Sequence, residues 1–258
     1  MKPNGTSVVE VRSLAFSRPT GSVRREIFTD FDCDINAGEF VCLVGPSGCG
    51  KSTLVGLLSG ALMPAKGIIN FPNGKPRLGV QFQADALFPW RHIWSNLGYA
   101  LEIRGHGKEA RRAHAARLCE LVELDPITFL DRYPGELSGG ECRRVSLAMA
   151  ISANPDLLLI DEATGNLDWL TRRNMQQMLQ KLCAERKLTV LAVTHDVEEA
   201  VWLSDRILVM QHGGDTKEFI IDLARPRDEA TRKNPAFIEK VAQVAAHLSA
   251  TQQREARP

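Results

Sequence analysis

The chain has 258 residues, of which 44% are hydrophobic, and this size predicts one large core or a core with a small subdomain. Its 32 basic and 31 acidic side chains give a net charge of +1, so no overall field attracts it to nucleic acid or anionic lipid. No window approaches the roughly 18 apolar residues of a membrane span, and the amino terminus does not resemble a signal peptide. We therefore expect any membrane role to come through a partner. Six scattered cysteines without C-x-x-C spacing indicate a reducing compartment.

Hydrophobic patterns predict strands and helices along the chain, with helices alone between residue 84 and about residue 152. The strands are expected over residues 7–16, 27–35, 40–44, 68–71, 77–82, 156–160, 188–193, 206–211 and 218–221. The helices are expected over residues 51–60, 93–103, 108–123, 127–130, 138–152, 171–186, 197–203 and 236–248. Alternation of strand and helix predicts an α/β fold with a mainly parallel sheet, interrupted by a helical insertion from residue 84 to about 152. The polar residues 251–258 are expected to fray.

The most specific motif follows the predicted strand at 40–44 and fits the phosphate-binding loop pattern G-x-x-x-x-G-K-[ST]. It consists of Gly45, Pro46, Ser47, Gly48, Cys49, Gly50, Lys51, Ser52 and Thr53. Its glycines permit a tight turn whose backbone N–H groups point at phosphate oxygens. We expect Lys51 to reach the outer phosphates, Ser52 to ligate Mg²⁺ and Thr53 to contact an inner phosphate. The motif therefore predicts a polyphosphate site.

Two carboxylates end the predicted strand at 156–160. Asp161 and Glu162 follow a run of four apolar residues, and open α/β sheets bind ligands at this edge. Asp161 is expected to hold Mg²⁺ directly or through water, and Glu162 to orient or deprotonate an attacking water. An ordinary acidic turn is the alternative, but a phosphate loop in the same chain favours the catalytic interpretation.

A second glycine-rich helix start lies at residues 137–141, Leu-Ser-Gly-Gly-Glu. Here the chain resembles the ATP-binding cassette (ABC) family, whose signature is this LSGG element. The resemblance implies that Ser138, Gly139 and Gly140 bind the γ-phosphate of an ATP held by the phosphate loop of a second subunit. The working unit would then be a head-to-tail dimer, with a homodimer expected. Ser138 is also expected to cap the helix.

The resemblance also implies an architecture. It is a P-loop NTPase (RecA-like) core with an antiparallel β edge subdomain and an inserted α-helical subdomain. The ABC domain would cover residues 7–230, with the helical part at about 84–152. Residues 231–258 would form a C-terminal helix and a polar tail.

Three further positions match the family pattern. Gln83 corresponds to the glutamine that contacts Mg²⁺ and the catalytic water and couples to the transmembrane partner. Asp168, in Gly165-Asn166-Leu167-Asp168, belongs to the loop that crosses the dimer interface. His195 corresponds to the switch histidine that contacts the γ-phosphate. The resemblance thus implies an ATPase that uses Mg²⁺.

Within the family, the chain is most similar to subunits of importers for nitrate, sulfonate, taurine and similar small anions. The segments that carry this likeness are residues 38–40, 87–91 and 225–228. It implies a peripheral subunit on the cytoplasmic face of the membrane, bound to a separate permease and served indirectly by an external solute-binding protein. The alternatives are an exporter or lipid-transport ATPase subunit, a non-transport ABC ATPase and a non-hydrolysing scaffold. Phe88 and Trp90 either belong to the core or line the groove for the permease.

Several positions depart from the family pattern. Glu141 replaces the usual glutamine, and we expect it to slow turnover by repelling phosphate. Ala163 replaces a proline, without an expected effect. Arg18 stands where an aromatic residue usually stacks on adenine, so either Arg18 or Phe16 is expected to contact the base.

Two further features are specific to this sequence. Cys49 lies beside Lys51 and a helix start, which is expected to make its thiol reactive. Five basic residues between 104 and 117 form either an anion-binding surface or, as we favour, an ordinary solvated helix face.

Overall fold

The computed structural model describes residues 6–20, 23–84, 86–162, 164–165 and 167–255. The chain divides into two compact units. The first unit comprises Met1–Pro76 and Thr189–Pro258, and the second unit comprises Arg77–Leu188. Within the described ranges, every helix is too short or too polar to cross a membrane.

The elements follow one another in the predicted order. Up to residue 76 they are β1 (Ser7–Thr20), β2 (Val23–Asn36), β3 (Phe40–Val44), α1 (Lys51–Ser59) and β4 (Lys66–Asn70). The second unit contains β5 (Leu78–Gln81), α2 (Ile93–Leu97), α3 (Tyr99–Ile103), α4 (Lys108–Leu121), α5 (Pro126–Phe129), a 3₁₀ turn (Pro134–Glu136), α6 (Gly139–Ile151), β6 (Leu157–Asp161) and α7 (Trp169–Arg186). The remaining elements are β7 (Thr189–Val193), α8 (Val197–Leu203), β8 (Arg206–Met210), β9 (Thr216–Ile220), α9 (Glu229–Arg232) and α10 (Pro235–Glu255).

Two predicted elements need correction, and one helix was not predicted. The helix expected over 93–103 is two short helices separated at Gly98, where an added Cβ would lie 2.9 Å from Cβ of Arg111. The C-terminal helix continues to Glu255, so the fraying expected from residue 251 is wrong as far as the helix reaches. Helix α9 was not expected; Asp228 caps it by accepting a hydrogen bond from the Thr231 N–H.

The first unit is built on a buried sheet with strand order β7-β3-β8-β9. Strands β7, β3 and β8 are parallel and every residue in them is buried, whereas β9 pairs antiparallel at the edge. Parallel strands end at the same edge of a sheet. The phosphate loop after β3 and His195 after β7 therefore leave the sheet at one edge.

A second, antiparallel sheet with order β2-β1-β4 supports the phosphate loop. Its core contains Phe28 and Phe31, whose ring centroids are 5.1 Å apart. A Cβ added at Gly50 would lie 2.9 Å from Cζ of Phe28 and 2.6 Å from Cγ2 of Ile27. The sheet thus packs directly on the backbone of the loop.

The second unit pairs β5 with β6 in parallel and packs α6 on β5. The approach is close, since a Cβ added at Gly79 in β5 would lie 2.3 Å from the carbonyl oxygen of Ala150 in α6. The Gln81 amide donates to the carbonyl of Arg143, and the Arg143 guanidinium donates to the carbonyl of Phe82. These contacts join the strand that precedes Gln83 to the helix that follows the signature.

A buried ion pair holds the start of β8 to the start of β3. Arg206 donates from Nε and Nη2 to the two carboxylate oxygens of Glu39, at 2.6 and 3.0 Å, and the side chains are 10% and 9% exposed. Removing one partner leaves the other charge buried and uncompensated. We expect Arg206→Met to lower the free energy of unfolding by about 3 kcal/mol in urea titrations.

The control for this prediction is Arg12→Met. Arg12 pairs with Asp34, but both side chains are more than 40% exposed. We expect a loss of less than about 1 kcal/mol for this variant. Equal losses for the two variants would contradict the structural role of the Arg206–Glu39 pair.

Candidate active site

The phosphate loop adopts a shape suited to an anion. Gly48 and Gly50 have φ values of 77° and 116°, in the left-handed region that favours glycine. Gly50 precedes α1 and has no side chain with which to cap the helix, and an uncapped helix start of this kind suits an anionic ligand. A Cβ added at Gly45 would lie 2.5 Å from the carbonyl oxygen of Met210, so the loop is packed against the end of β8.

The ammonium group of Lys51 lies inside this loop. Its Nζ donates to the carbonyl oxygens of Gly45 and Pro46, at 2.8 Å each. Thr53 is buried, whereas Ser52 in the first turn of α1 is exposed. A cation beside a helix start that no side chain caps fits a bound polyphosphate.

The acidic pair stands at the end of β6, as expected. Asp161 is the last residue of the strand and is buried. Glu162 follows with a φ of 53°, an uncommon conformation for a residue with a side chain and one that clusters at functional sites. The Gln83 side chain donates from Nε2 to Oε2 of Glu162 at 2.9 Å. The structure thus brings together two residues, Gln83 and Glu162, whose contact the sequence did not predict.

The signature forms the amino end of α6. The predicted cap is confirmed, because Ser138 Oγ accepts from the Glu141 N–H at 3.3 Å. In the reciprocal contact, Oε2 of Glu141 accepts hydrogen bonds from the N–H and from the hydroxyl of Ser138, at 2.7 and 2.8 Å. A Cβ added at Gly139 would meet no described atom within 4 Å, whereas one at Gly140 would lie 2.6 Å from Cγ2 of Thr171. A side chain would therefore fit at Gly139 but would collide with Thr171 at Gly140.

His195 and Asp168 both lie next to a helix start. His195 is exposed and is followed by Asp196, whose side chain caps α8 by accepting from the Glu199 N–H. Asp168 caps α7, and its hydrogen bonds with Thr171 hold the pKa of its carboxyl below the ordinary value. Ala163, whose replacement of a proline was expected to have no effect, and Asn166 of the predicted interface loop lie outside the described residues.

The two candidates for adenine contact lie on β1. Phe16 is partly buried and pairs in register with Phe28, whereas Arg18 is exposed and pairs with Arg25. The guanidinium of Arg25 lies 3.5 Å from the carbonyl oxygen of Gly48, so a second cation borders the loop. Sequence reasoning missed Arg25, because its proximity to the loop depends on the antiparallel sheet.

Residues 28–165 match the ABC transporter family. The chain belongs to the ABC transporter family. It is an ATPase of that family, and the predicted fold class is confirmed.

Relatives and solved structures agree with this assignment. The chain is 40% identical over 232 residues to the aliphatic sulfonates import ATP-binding protein SsuB 1 of Streptomyces avermitilis, covering 90% of this chain and 84% of the relative. It is 40% identical over 206 residues to the bicarbonate transport ATP-binding protein CmpC of Synechococcus elongatus, covering 76% of this chain and 31% of the relative. The dimeric bacterial ABC transporter cassette MJ0796 superposes with a TM-score of 0.75 at 28% identity, over 84% of this chain and all of that one. A post-hydrolysis state of MJ0796 with ADP and Pi gives 0.76, at the same identity and coverage.

Two alternatives left open by the sequence can be addressed in this ABC ATPase. In α4, Arg111 pairs with Glu102 and Arg112 with Asp131, at 2.5 Å each, which supports a solvated helix face over an anion site.

Phe88 packs against Tyr99, with ring centroids 5.0 Å apart, whereas Trp90 is 72% exposed. The core interpretation therefore suits Phe88 but not Trp90.

Glu141, which replaces the usual glutamine of the ABC pattern, is bound to Ser138 in the structure. The Ser138 backbone N–H, reinforced by its hydroxyl, lowers the pKa of Glu141, so the carboxylate stays ionised at neutral pH. A depressed folded-state pKa means that this contact stabilises the helix start above the ordinary pKa and is lost as the pH falls. The carboxylate also accepts a hydrogen bond from the Ser138 hydroxyl, which the resemblance to the family signature predicts to bind phosphate. Competition for this hydroxyl would add to the repulsion expected from sequence.

Glu141→Gln tests this competition. A neutral amide holds the Ser138 hydroxyl less strongly than a carboxylate does, by about 1 kcal/mol. We expect ATP turnover to rise about fivefold in a phosphate-release assay. The matched control is Glu136→Gln, because Glu136 caps the neighbouring 3₁₀ turn in the same way through the Tyr133 N–H. Unchanged turnover in Glu141→Gln, or an equal rise in the control, would contradict the competition.

Cys49 gives a second prediction. Its Sγ lies 3.9 Å from Nζ of Lys51, but the side chain is only 1% exposed, so a reagent can reach it only when the loop moves. We expect N-ethylmaleimide to abolish ATP hydrolysis slowly and bound ATP to protect the enzyme. Cys49→Ala should be insensitive to the reagent. Stoichiometric labelling of Cys49 with full activity retained would refute this expectation.

Proposed function

We propose that the chain is the ATP-hydrolysing subunit of an importer for a small anionic solute. The observation that carries the proposal is the Gln83–Glu162 hydrogen bond at the end of β6, in a chain that also carries a complete phosphate loop. Relatives that are about 40% identical have import of aliphatic sulfonates or transport of bicarbonate in their names, and both solutes are small anions.

The first proposed step is phosphate binding. Backbone N–H groups of the phosphate loop and the ammonium of Lys51 would hold the phosphates of ATP, because the loop places the uncapped start of α1 beside a cation. Phe16 or Arg18 would contact the adenine. Ser138, Gly139 and Gly140 would complete the site on a second copy of the chain, with Asp168 at the interface. The dimeric form of MJ0796 supports a paired arrangement.

The second step is attack by water. Glu162 would accept a proton from the water or orient it, while the hydrogen bond from Gln83 fixes its carboxylate. His195 would contact the γ-phosphate from the edge where β7 ends. Since phosphoryl transfer needs little covalent help, these groups act mainly by positioning and by neutralising charge.

The residues also fit a magnesium ion. Within the described ranges, no group of three or more His, Cys, Asp or Glu side chains is placed to hold a metal by itself. Mg²⁺ usually binds through one or two protein oxygens together with substrate phosphates and waters, and Ser52, Gln83 and Asp161 offer such oxygens. When bound, Mg²⁺ would neutralise charge on the phosphates.

The proposed partners follow from the same assignment. A permease would bind the chain at the cytoplasmic face of the membrane, and exposed Trp90 is a candidate contact. A solute-binding protein would act through that permease. The ABC domain is proposed to cover residues 7–230, including the helical part at 84–152, and residues 231–258 to lie outside it. Copurification with a membrane protein separates this function from a non-transport ATPase, and uptake assays with sulfonates, nitrate and bicarbonate separate import from export.

Glu162→Gln tests the catalytic assignment. We expect ATP binding within about twofold of the wild type and hydrolysis reduced at least ~100-fold, because the amide cannot accept a proton. Binding is measured by equilibrium dialysis with labelled ATP, and hydrolysis by release of phosphate. Glu185→Gln, which neutralises an exposed carboxylate on α7, is the control and should be fully active. Substantial hydrolysis in Glu162→Gln would refute the role of Glu162.

A further inference from the structure

Three arginines between residues 225 and 232 contact the carboxyl end of α8. We call Arg225, Arg227 and Arg232 the arginine clamp. Arg227 is at its centre and only 4% exposed. Its Nη1 donates to the carbonyl oxygens of Val201, Trp202 and Ser204, at 2.9, 2.9 and 2.7 Å. The last carbonyls of a helix lack intrahelical partners, and a buried cation suits the negative end of the helix dipole.

The other two arginines extend the clamp on both sides. Arg225 donates to the carbonyl oxygen of Leu203 at 2.6 Å and to Oδ1 of Asp205 at 2.9 Å. The other oxygen of Asp205 accepts from the N–H of Phe40, the first residue of the strand that leads to the phosphate loop. Arg232 lies over the Trp202 ring, 3.7 Å from its centroid.

Side-chain contacts also hold the amino end of α8, which follows His195 in the chain. Arg232 forms an ion pair with Glu198 in the first turn. The Thr194 hydroxyl donates to the Glu199 carboxylate at 2.5 Å, and Asp196 caps the helix. His195 lies between Thr194 and Asp196. A helix of seven residues is about 10 Å long, so the clamp at its carboxyl end is close enough to His195 to affect the position of the histidine.

We propose that the arginine clamp is a positioning element for His195. It ties α8 to the start of β3 and so fixes the histidine relative to the phosphate loop, which follows the same strand. This inference rests on the proposed ATPase function of His195 and extends it to Arg225–Arg232, a segment with no catalytic role in the assignment above. The burial of Arg227 lowers its pKa to about 10, still well above neutrality, so the clamp keeps its charge.

A double-mutant cycle with His195→Ala tests the proposal. We expect Arg227→Met to lower kcat about tenfold while KM for ATP stays within about twofold, because only the switch residue is displaced. In the His195→Ala background, Arg227→Met should lower kcat no further. Arg227→Lys keeps a cation near the carbonyls and should restore most of the activity. Arg225→Met, at a more exposed site, provides the same cycle if Arg227→Met does not fold.

The matched control is Arg206→Met, which removes a buried arginine from the same unit without a contact to α8. It should destabilise the protein but retain kcat per folded molecule. Additive losses of kcat in the cycle, or the same loss in Arg206→Met, would overturn the proposal and leave only a structural role for the clamp.

A measurement that does not depend on ATP turnover tests the clamp separately from the proposed function. In protein with ¹³C-labelled histidine, the His195 ring resonance should shift in Arg227→Met and Arg225→Met but not in Arg206→Met. An unmoved resonance would overturn the clamp even in an active enzyme. A wild type that hydrolyses no ATP would instead refute the proposed function, whatever the resonance does.

Discussion

The phosphate loop keeps its shape because two of its glycines occupy positions where no side chain fits. A Cβ at Gly45 would collide with the carbonyl of Met210, and one at Gly50 would collide with Ile27 and Phe28. These neighbours belong to the parallel sheet and to the antiparallel sheet, so both sheets of the first unit determine the backbone of the loop. Donors held in place by packing need little reorganisation when an anion arrives. Strand β8 and the antiparallel sheet therefore support this backbone directly.

The two glycine-rich helix starts differ in how they are capped. Gly50 leaves the amino end of α1 open, whereas Ser138 and Glu141 cap α6 by reciprocal hydrogen bonds. A helix start that already satisfies its own donors binds an added anion less readily than an open one. In the proposed site, phosphate would therefore bind the first start directly. At the second start, phosphate from a second copy would have to displace the Glu141 carboxylate from Ser138.

Sequence reasoning recovered the features that depend on local pattern. The phosphate loop, the apolar strand before Asp161 and the Ser138 cap were predicted because a few adjacent residues determine each of them. The break at Gly98 was missed, and the close packing of Arg111 from another helix at this glycine is a contact that no local pattern shows. The neighbours of Glu162 and of the loop, Gln83 and Arg25, are 79 and 23 residues away in the chain. The segment at 225–228 was noticed only as a family likeness, and its contacts with α8 required the fold. A local sequence pattern cannot predict contacts that depend on the order of strands in a sheet.

The central claim is that ATP is hydrolysed between the phosphate loop of one copy and the signature of another. The most direct measurement mixes two inactive variants, Lys51→Ala and Gly139→Asp, and records phosphate release. Gly139→Asp suits this purpose because the structure leaves room at Gly139, so the added carboxylate blocks phosphate without disturbing the fold. A mixed pair contains one site with an intact loop and an intact signature, so the account predicts hydrolysis by the mixture and none by either variant alone. A mixture of well-folded variants that releases no more phosphate than the separate proteins would contradict it.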